Sequence, residues 1–350
     1  MGPEFDQAYW DRVDGPIFEG EIKPLIPDTV LDFHTHAWRE SDLASLPTEE
    51  MKKNPSLVWT TNHFPVSELQ QTAKWLFPGK RYQVLAIGMP YAEMDVGRNN
   101  QHIAEAVRNS PDVAGLMMVK PSDTADQLRR QVLEGRFVGF KPYFTFVPKA
   151  QNDVLLDDML THEHLKVADE FGLIVMIHVP RKLRLTDPQN IATLRRISPR
   201  YPRAKLIVAH VGRSYCEWVA FQALAQVEDM PNLFLDTSFI QNSVTFEYLF
   251  EHVDVSRIMY GTDLPDAAIH GQVACVNGVN LFVTRNPHPW SLYRTENPIE
   301  CTYMVYEELR AIRDGGQRAG LSVKDLQPVF HANARRLIDD VYANLLKAGA

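Results

Sequence analysis

Cysteine is scarce: Cys216, Cys275 and Cys301 are the only three in 350 residues, widely spaced and odd in number. Such a pattern argues against a disulfide-stapled scaffold and leads to the expectation of unpaired thiols in a reducing, cytoplasmic setting. Long hydrophobic runs are missing, so no membrane span is expected. The stretch from Met1 to Trp10 lacks the basic-then-apolar order of a secretion signal. Positive charge is in deficit, with 36 Lys and Arg against 44 Asp and Glu for a net charge of -8, and no basic stripe interrupts that balance. A nucleic-acid or anionic-membrane surface is therefore not expected. Repeats, low-complexity segments and linkers are also lacking, so residues 1–350 read as a single domain, whose length suits an α/β barrel plus insertions.

What is present is a set of short apolar runs with polar ends. The first, Val30-Leu31-Asp32-Phe33-His34-Thr35-His36, closes on two histidines one residue apart. On a strand, residues two apart share a face, so His34 and His36 form a ready metal-binding pair with Asp32 behind them. The plainer alternative is a buried strand whose histidines are merely hydrogen-bonded. Seven more runs follow, at Val84–Met89, Val113–Val119, Phe137–Tyr143, Leu173–Val179, Lys205–Val211, Asn232–Thr237 and Arg257–Gly261. Helical patterns stand between them, and Ser67–Leu76, Glu300–Asp314 and Pro328–Leu346 read the same way. Strands alternating with helices imply parallel pairing through right-handed crossovers, and eight such units close a barrel. The expected fold is α/β, a (β/α)8 TIM barrel with a long insertion after strand one and another after strand eight. An open doubly wound sheet is the alternative, but no glycine-rich phosphate turn follows His36. Residues 1–28 read as an irregular arm. Residues 37–82, with Trp38, Trp59, His63 and Phe64, and residues 264–298, with an Asn277-Gly278 hairpin signal, read as lids.

Active sites of such barrels lie where the strands end. Strand five ends at His178, strand six at His210 and strand eight at Asp263, so four independent strands finish on residues able to bind a metal. The Thr161-His162-Glu163-His164 run looks similar but opens a helix pattern, where positions two apart diverge.

Taken in order, Asp32-Phe33-His34-Thr35-His36, His178, His210-Val211-Gly212, Gly261-Thr262-Asp263-Leu264-Pro265 and Asn333-Ala334-Arg335-Arg336-Leu337 resemble the amidohydrolase superfamily. The likeness is to its amidohydrolase-2 branch of metal-dependent barrel enzymes, which includes aminocarboxymuconate-semialdehyde decarboxylase. The resemblance implies that His34, His36 and His178 bind one divalent metal, zinc or another ion such as manganese, with Asp263 as a further ligand or base. It implies that Asp263 moves the proton of a metal-activated water, and that His210 polarises the substrate carbonyl or stabilises developing charge. Lys141 ends strand four, where other branches carboxylate a lysine to bridge two metals; otherwise it is a cationic contact. Arg181, Arg184 and Arg213 follow strands five and six and add positive charge on the expected site face. With Lys141, Arg181 and Arg213 as substrate contacts, the expected partner is a small anionic molecule, and a homo-oligomer is left open. Hydrolysis of a carboxylate-bearing lactone, amide or ring compound is the favoured reaction. Nonoxidative decarboxylation of an aromatic or muconate-type acid is the alternative, and a non-catalytic barrel is disfavoured because the ligand positions are filled.

Overall fold

In the computed structural model the apolar runs become eight parallel strands arranged in sequence order around a barrel. The structure describes residues 5–53 and 60–349, so Trp59 of the first insertion lies outside the described residues. The strands are β1 (Thr29–His36), β2 (Arg81–Ile87), β3 (Val113–Val119), β4 (Gly139–Pro142), β5 (Ile174–Ile177), β6 (Lys205–Val208), β7 (Leu233–Asp236) and β8 (Ile258–Met259). A parallel strand is covered on both faces, which is why β3 reads Val-Ala-Gly-Leu-Met-Met-Val and is buried throughout. β8 keeps only two residues, and backbone beyond it closes the ring. Phe33 N donates to Tyr260 O, Asp263 N to His34 O and His36 N to Leu264 O, each at 2.8 Å. Those bonds lay Asp263 alongside the two histidines.

Crossover helices α1 (Val66–Leu76), α2 (Val96–Asn109), α3 (Ala125–Gly135), α4 (His162–Phe171), α5 (Pro188–Arg200), α6 (Glu217–Ala223) and α7 (Ser243–His252) follow the strands, and α8 (Met304–Arg318) and α9 (Ala332–Gly349) end the chain. Local chemistry starts them: Asp95 caps α2, Thr124 forms a capping box on α3, and Asp187 precedes a proline at the first position of α5. Thr161 caps α4, so the His162 and His164 run is a helix start. His164 Nε2 meets the Lys120 carbonyl at 3.0 Å and His162 pairs with the Tyr201 hydroxyl. Among the described residues no helix is long and apolar enough to cross a membrane.

Three expectations need correction. The N-terminal arm is helical rather than irregular from Gln7 to Ile22, and Glu21 pins it to α8 through Arg310 and Arg313. Cys216 and Cys275 form a disulfide with a Cα–Cα distance of 5.5 Å, which overturns the reading of unpaired thiols and removes its support for a reducing compartment. The 59-residue separation hid the pair, which the barrel brings together. Third, strand six stops at Val208 because His210, Val211, Gly212 and Arg213 all take positive φ, between 48° and 68°.

The second insertion is a hairpin of β9 (Gly271–Val276) and β10 (Val279–Thr284). Its two-residue turn is Asn277-Gly278, with φ of 50° and 77°, the left-handed pair that suits the twist of a tight hairpin. The first insertion supplies α1 as an ordinary crossover helix, and of its described residues Lys53 reaches the central pocket.

Candidate metal centre and pocket

β1 bulges between Asp32 and Thr35; His34 sits within the bulge and His36 just beyond it, and both line the barrel mouth. Asp32 stays behind and fastens the bulge. It accepts from Tyr82 Oη at 2.7 Å, Thr262 Oγ1 at 2.6 Å, Thr262 N at 2.9 Å and His34 N at 3.2 Å. Burial still lifts its pKa to about 7 against those bonds.

Three inward histidines are anchored by their outer nitrogens. His34 Nδ1 lies 3.1 Å from Asp236 Oδ2 and 3.0 Å from Ser238 Oγ. His36 Nδ1 lies 2.9 Å from the Gly88 carbonyl, and His210 Nδ1 lies 3.0 Å from the Ser238 carbonyl. An acceptor at Nδ1 assigns the proton there and leaves Nε2 a lone pair. Three such lone pairs face Asp263: His36 Nε2 is 3.2 Å and His34 Nε2 3.6 Å from Oδ1, and His210 Nε2 is 4.0 Å from Oδ2. Burial, with Lys141 next, pushes His34 down to about 3, and burial also lowers His210.

The donor set fits a divalent cation. His34, His36 and Asp263 offer ligand atoms within 4.8 Å of one another, and so do His34, His210 and Asp236. His178 falls outside both groups. Its ring is 5.2 Å from that of His210, centroid to centroid, and its buried Nδ1 has no hydrogen-bond partner, an orphan that a ligand or ion would satisfy. Lys141 is fully buried, with Nζ 3.0 Å from His34 Nε2, and burial lowers its pKa to about 8.

Above the histidines opens a cavity of about 650 Å³. One side carries Tyr143, Arg184, Arg213 and Tyr215; the hairpin insertion faces it with Asn280, Phe282 and Trp290. The left-handed turn after β6 points His210 and Arg213 into this space. Positive φ is costly for the β-branched Val211, which is the kind of strain found where a fold holds functional groups in place. Arg213 Nε is buried without a partner, and its Nη1 makes only long contacts of 3.4 Å to the carbonyls of Val179 and Arg181. Arg184 lies 5.4 Å over the Tyr215 ring and donates to the Arg213 carbonyl at 3.0 Å and to Asn280 Oδ1 at 2.5 Å. Among the described residues neither has a carboxylate partner. Arg181 behaves differently: it is paired with Asp187 at 2.8 Å and does not line the cavity, whereas Arg184 does.

Asp236 and Ser238, which orient two histidines, were not singled out in the sequence. Asp236 does end the apolar run Leu233-Phe234-Leu235, the same signal that marked Asp263. Tyr215 and Asn280 gave no comparable signal.

A family model described as amidohydrolase matches residues 31–339. None of the curated proteins compared matches the chain. Among solved structures, a probable 2-pyrone-4,6-dicarboxylic acid hydrolase from Acinetobacter baumannii, with citric acid bound, is 15% identical at a TM-score of 0.54, covering 89% of this chain and 99% of its own. The 5-carboxyvanillate decarboxylase of Sphingomonas paucimobilis is 15% identical at 0.53, with the same coverage of both chains. An amidohydrolase from Burkholderia multivorans with bound zinc is 11% identical at 0.56, again covering 89% and 99%. At these identities the likeness speaks for the barrel fold.

Proposed function

The chain belongs to the amidohydrolase family, and from that premise we propose that it is a metal-dependent hydrolase of a small, carboxylate-bearing lactone, amide or ring compound. The observation that carries the reading is the convergence of three imidazole lone pairs on Asp263 beneath two guanidinium groups that have no carboxylate partner among the described residues. His34, His36 and Asp263 would hold one divalent ion, with His178 or His210 completing its surroundings; nitrogen and oxygen donors suit zinc, and manganese is the next choice. Such an ion supplies Lewis-acid chemistry, lowering the pKa of water and polarising a carbonyl.

The protein groups divide the remaining work. Asp263 faces His34 and His36 with Oδ1, which leaves Oδ2 to take a proton from water and return it to the leaving group. His210 presents an unprotonated Nε2, so it is built to accept a hydrogen bond or proton; the expected donation to a carbonyl would need the charged ring, which burial disfavours. Arg213 can grip a substrate carboxylate with paired N–H donors, and the aromatic walls exclude water around it.

Nonoxidative decarboxylation is the second reading. Lys141 supports it, because an ammonium 3.0 Å from His34 Nε2 could draw a carboxylate to the centre itself. Assays of metal-loaded protein on aromatic acids and on carboxylated lactones separate the two by release of carbon dioxide or of a ring-opened acid. Arg213→Met should raise KM for acidic substrates roughly 10–100-fold relative to matched neutral esters, the worth of one charged hydrogen bond. Arg181→Met should leave that ratio unchanged, and equal behaviour of the two variants would refute an anion-binding wall at Arg213.

A further inference from the structure

The β9–β10 hairpin makes the outer wall of the cavity, yet two strands alone are marginal in water, so its order depends on what ties it down. Trp218 Nε1 donates to the Gly278 carbonyl at 3.0 Å, Arg184 donates to Asn280 Oδ1, and Val273 N donates to Gln241 Oε1 at 2.7 Å. Phe282 packs against Phe239 and Trp290, with ring centroids 5.9 and 5.3 Å apart. Backbone bonds from Gly271 N to Thr302 O and from Thr284 N to Leu292 O fix its open end, and one further tie is covalent: Cys275 of β9 is bonded to Cys216, the residue next to Tyr215. Cys216 is buried, while Cys275 is half-buried and is the more exposed of the two. One bond therefore fastens β9 at the position that pairs directly with Asn280 of β10 to the segment that delivers Tyr215, and Arg184 is held between Asn280 and Tyr215.

We propose that the Cys216–Cys275 disulfide is a latch on substrate affinity. Closed, it keeps Asn280 on Arg184 and the guanidinium over Tyr215; opened by a dithiol, it frees the hairpin wall and weakens anion binding while His34, His36 and Asp263 stay in place. In the opening step a dithiol thiolate attacks the Cys275 sulfur and Cys216 leaves as a thiolate. The second thiol of the reagent then displaces Cys275, giving two protein thiols and one cyclic disulfide. The affinity part rests on the anion-binding reading above, whereas the hairpin part does not.

The test compares oxidised and dithiothreitol-treated full-length protein, both loaded with zinc. Alkylation should count one thiol, Cys301, before treatment and all three cysteines after it. Amides of residues 271–284 should exchange hydrogen roughly tenfold faster once reduced. Isophthalate, used as a dicarboxylate probe, should bind roughly tenfold more weakly by calorimetry, the scale of one lost charged contact, with bound zinc unchanged. A Cys216→Ser, Cys275→Ser variant should match the reduced protein and ignore the reagent; should it fail to fold, the wild-type series makes the same comparison. Three reactive thiols in protein purified without reductant, or full reduction with unchanged exchange and affinity, overturns the latch. Oxidised protein that binds zinc but no isophthalate overturns the anion-binding reading instead, and the exchange rates then decide the latch alone.

Discussion

Asp263 has two oxygens with different neighbours, and its chemistry follows from that asymmetry. Oδ1 sits between His34 and His36, and Oδ2 is turned toward His210. Removing one oxygen's basicity while keeping its shape should therefore end proton transfer without disturbing the strands. Asp263→Asn is expected to lower kcat roughly 10²–10⁴-fold with an unchanged circular dichroism spectrum, and turnover within a few-fold of wild type would exclude Asp263 as the proton acceptor. The two histidines were legible in the sequence because their spacing is a local property of one strand. Asp236 ends an apolar run as Asp263 does, but its task was not legible, since it holds the ring of His34, 202 residues away. Arg181 and Arg184 show the same limit. Both follow β5, both are arginine, and only the path of the loop turns one toward Asp187 and the other toward Tyr215.

At the scale of elements, the turn His210–Arg213 sets the directions of a histidine and an arginine at once. Gly212 has φ of 68°, and a Cβ there would meet Leu185 Cβ at 2.5 Å. Gly212→Ala is therefore expected to cost about 1–3 kcal/mol of stability, from the strained backbone and the contact together. It should also raise KM for an anionic substrate as Arg213 moves; a variant with wild-type Tm and KM would show that the turn is not rigid. The N-terminal arm is a second such element. Hydrogen bonds from Arg310, opposed by burial and reinforced by Arg313, hold Glu21 down at about 2 against an ordinary 4.5. A depressed carboxylate stabilises the fold above its unfolded pKa and loses that contribution as pH falls through its folded value. Glu21→Gln should accordingly lower Tm at pH 7, with the difference from wild type shrinking between pH 4.5 and pH 2; a pH-independent difference would assign the loss to packing. The hairpin was readable from Asn277-Gly278 because a turn needs only its own residues. The helical arm was not read, although Tyr9, Val13 and Ile17, and then Phe18 and Ile22, recur at helical spacing, because prolines and acidic residues interrupt the stretch, and its ion pairs with α8 join residues far apart in sequence.

For the whole molecule, the alternation of eight apolar runs with amphipathic helices was enough to read the barrel, since parallel pairing and right-handed crossovers leave few other ways to bury them. Closure beyond β8, the disulfide and the cavity wall depend on segments far apart in sequence, and they emerge only when the ring is formed. The central claim is that this ring gathers side chains into a site for one divalent ion. Elemental analysis of purified, zinc-equilibrated protein tests it most directly, together with a His34→Ala, His36→Ala variant whose fold is checked by circular dichroism. The account predicts about one metal per wild-type chain, as three or four nitrogen and oxygen donors around one point imply, and almost none in the folded variant. Wild-type protein that takes up no metal, or a folded variant that keeps a full complement, would contradict it.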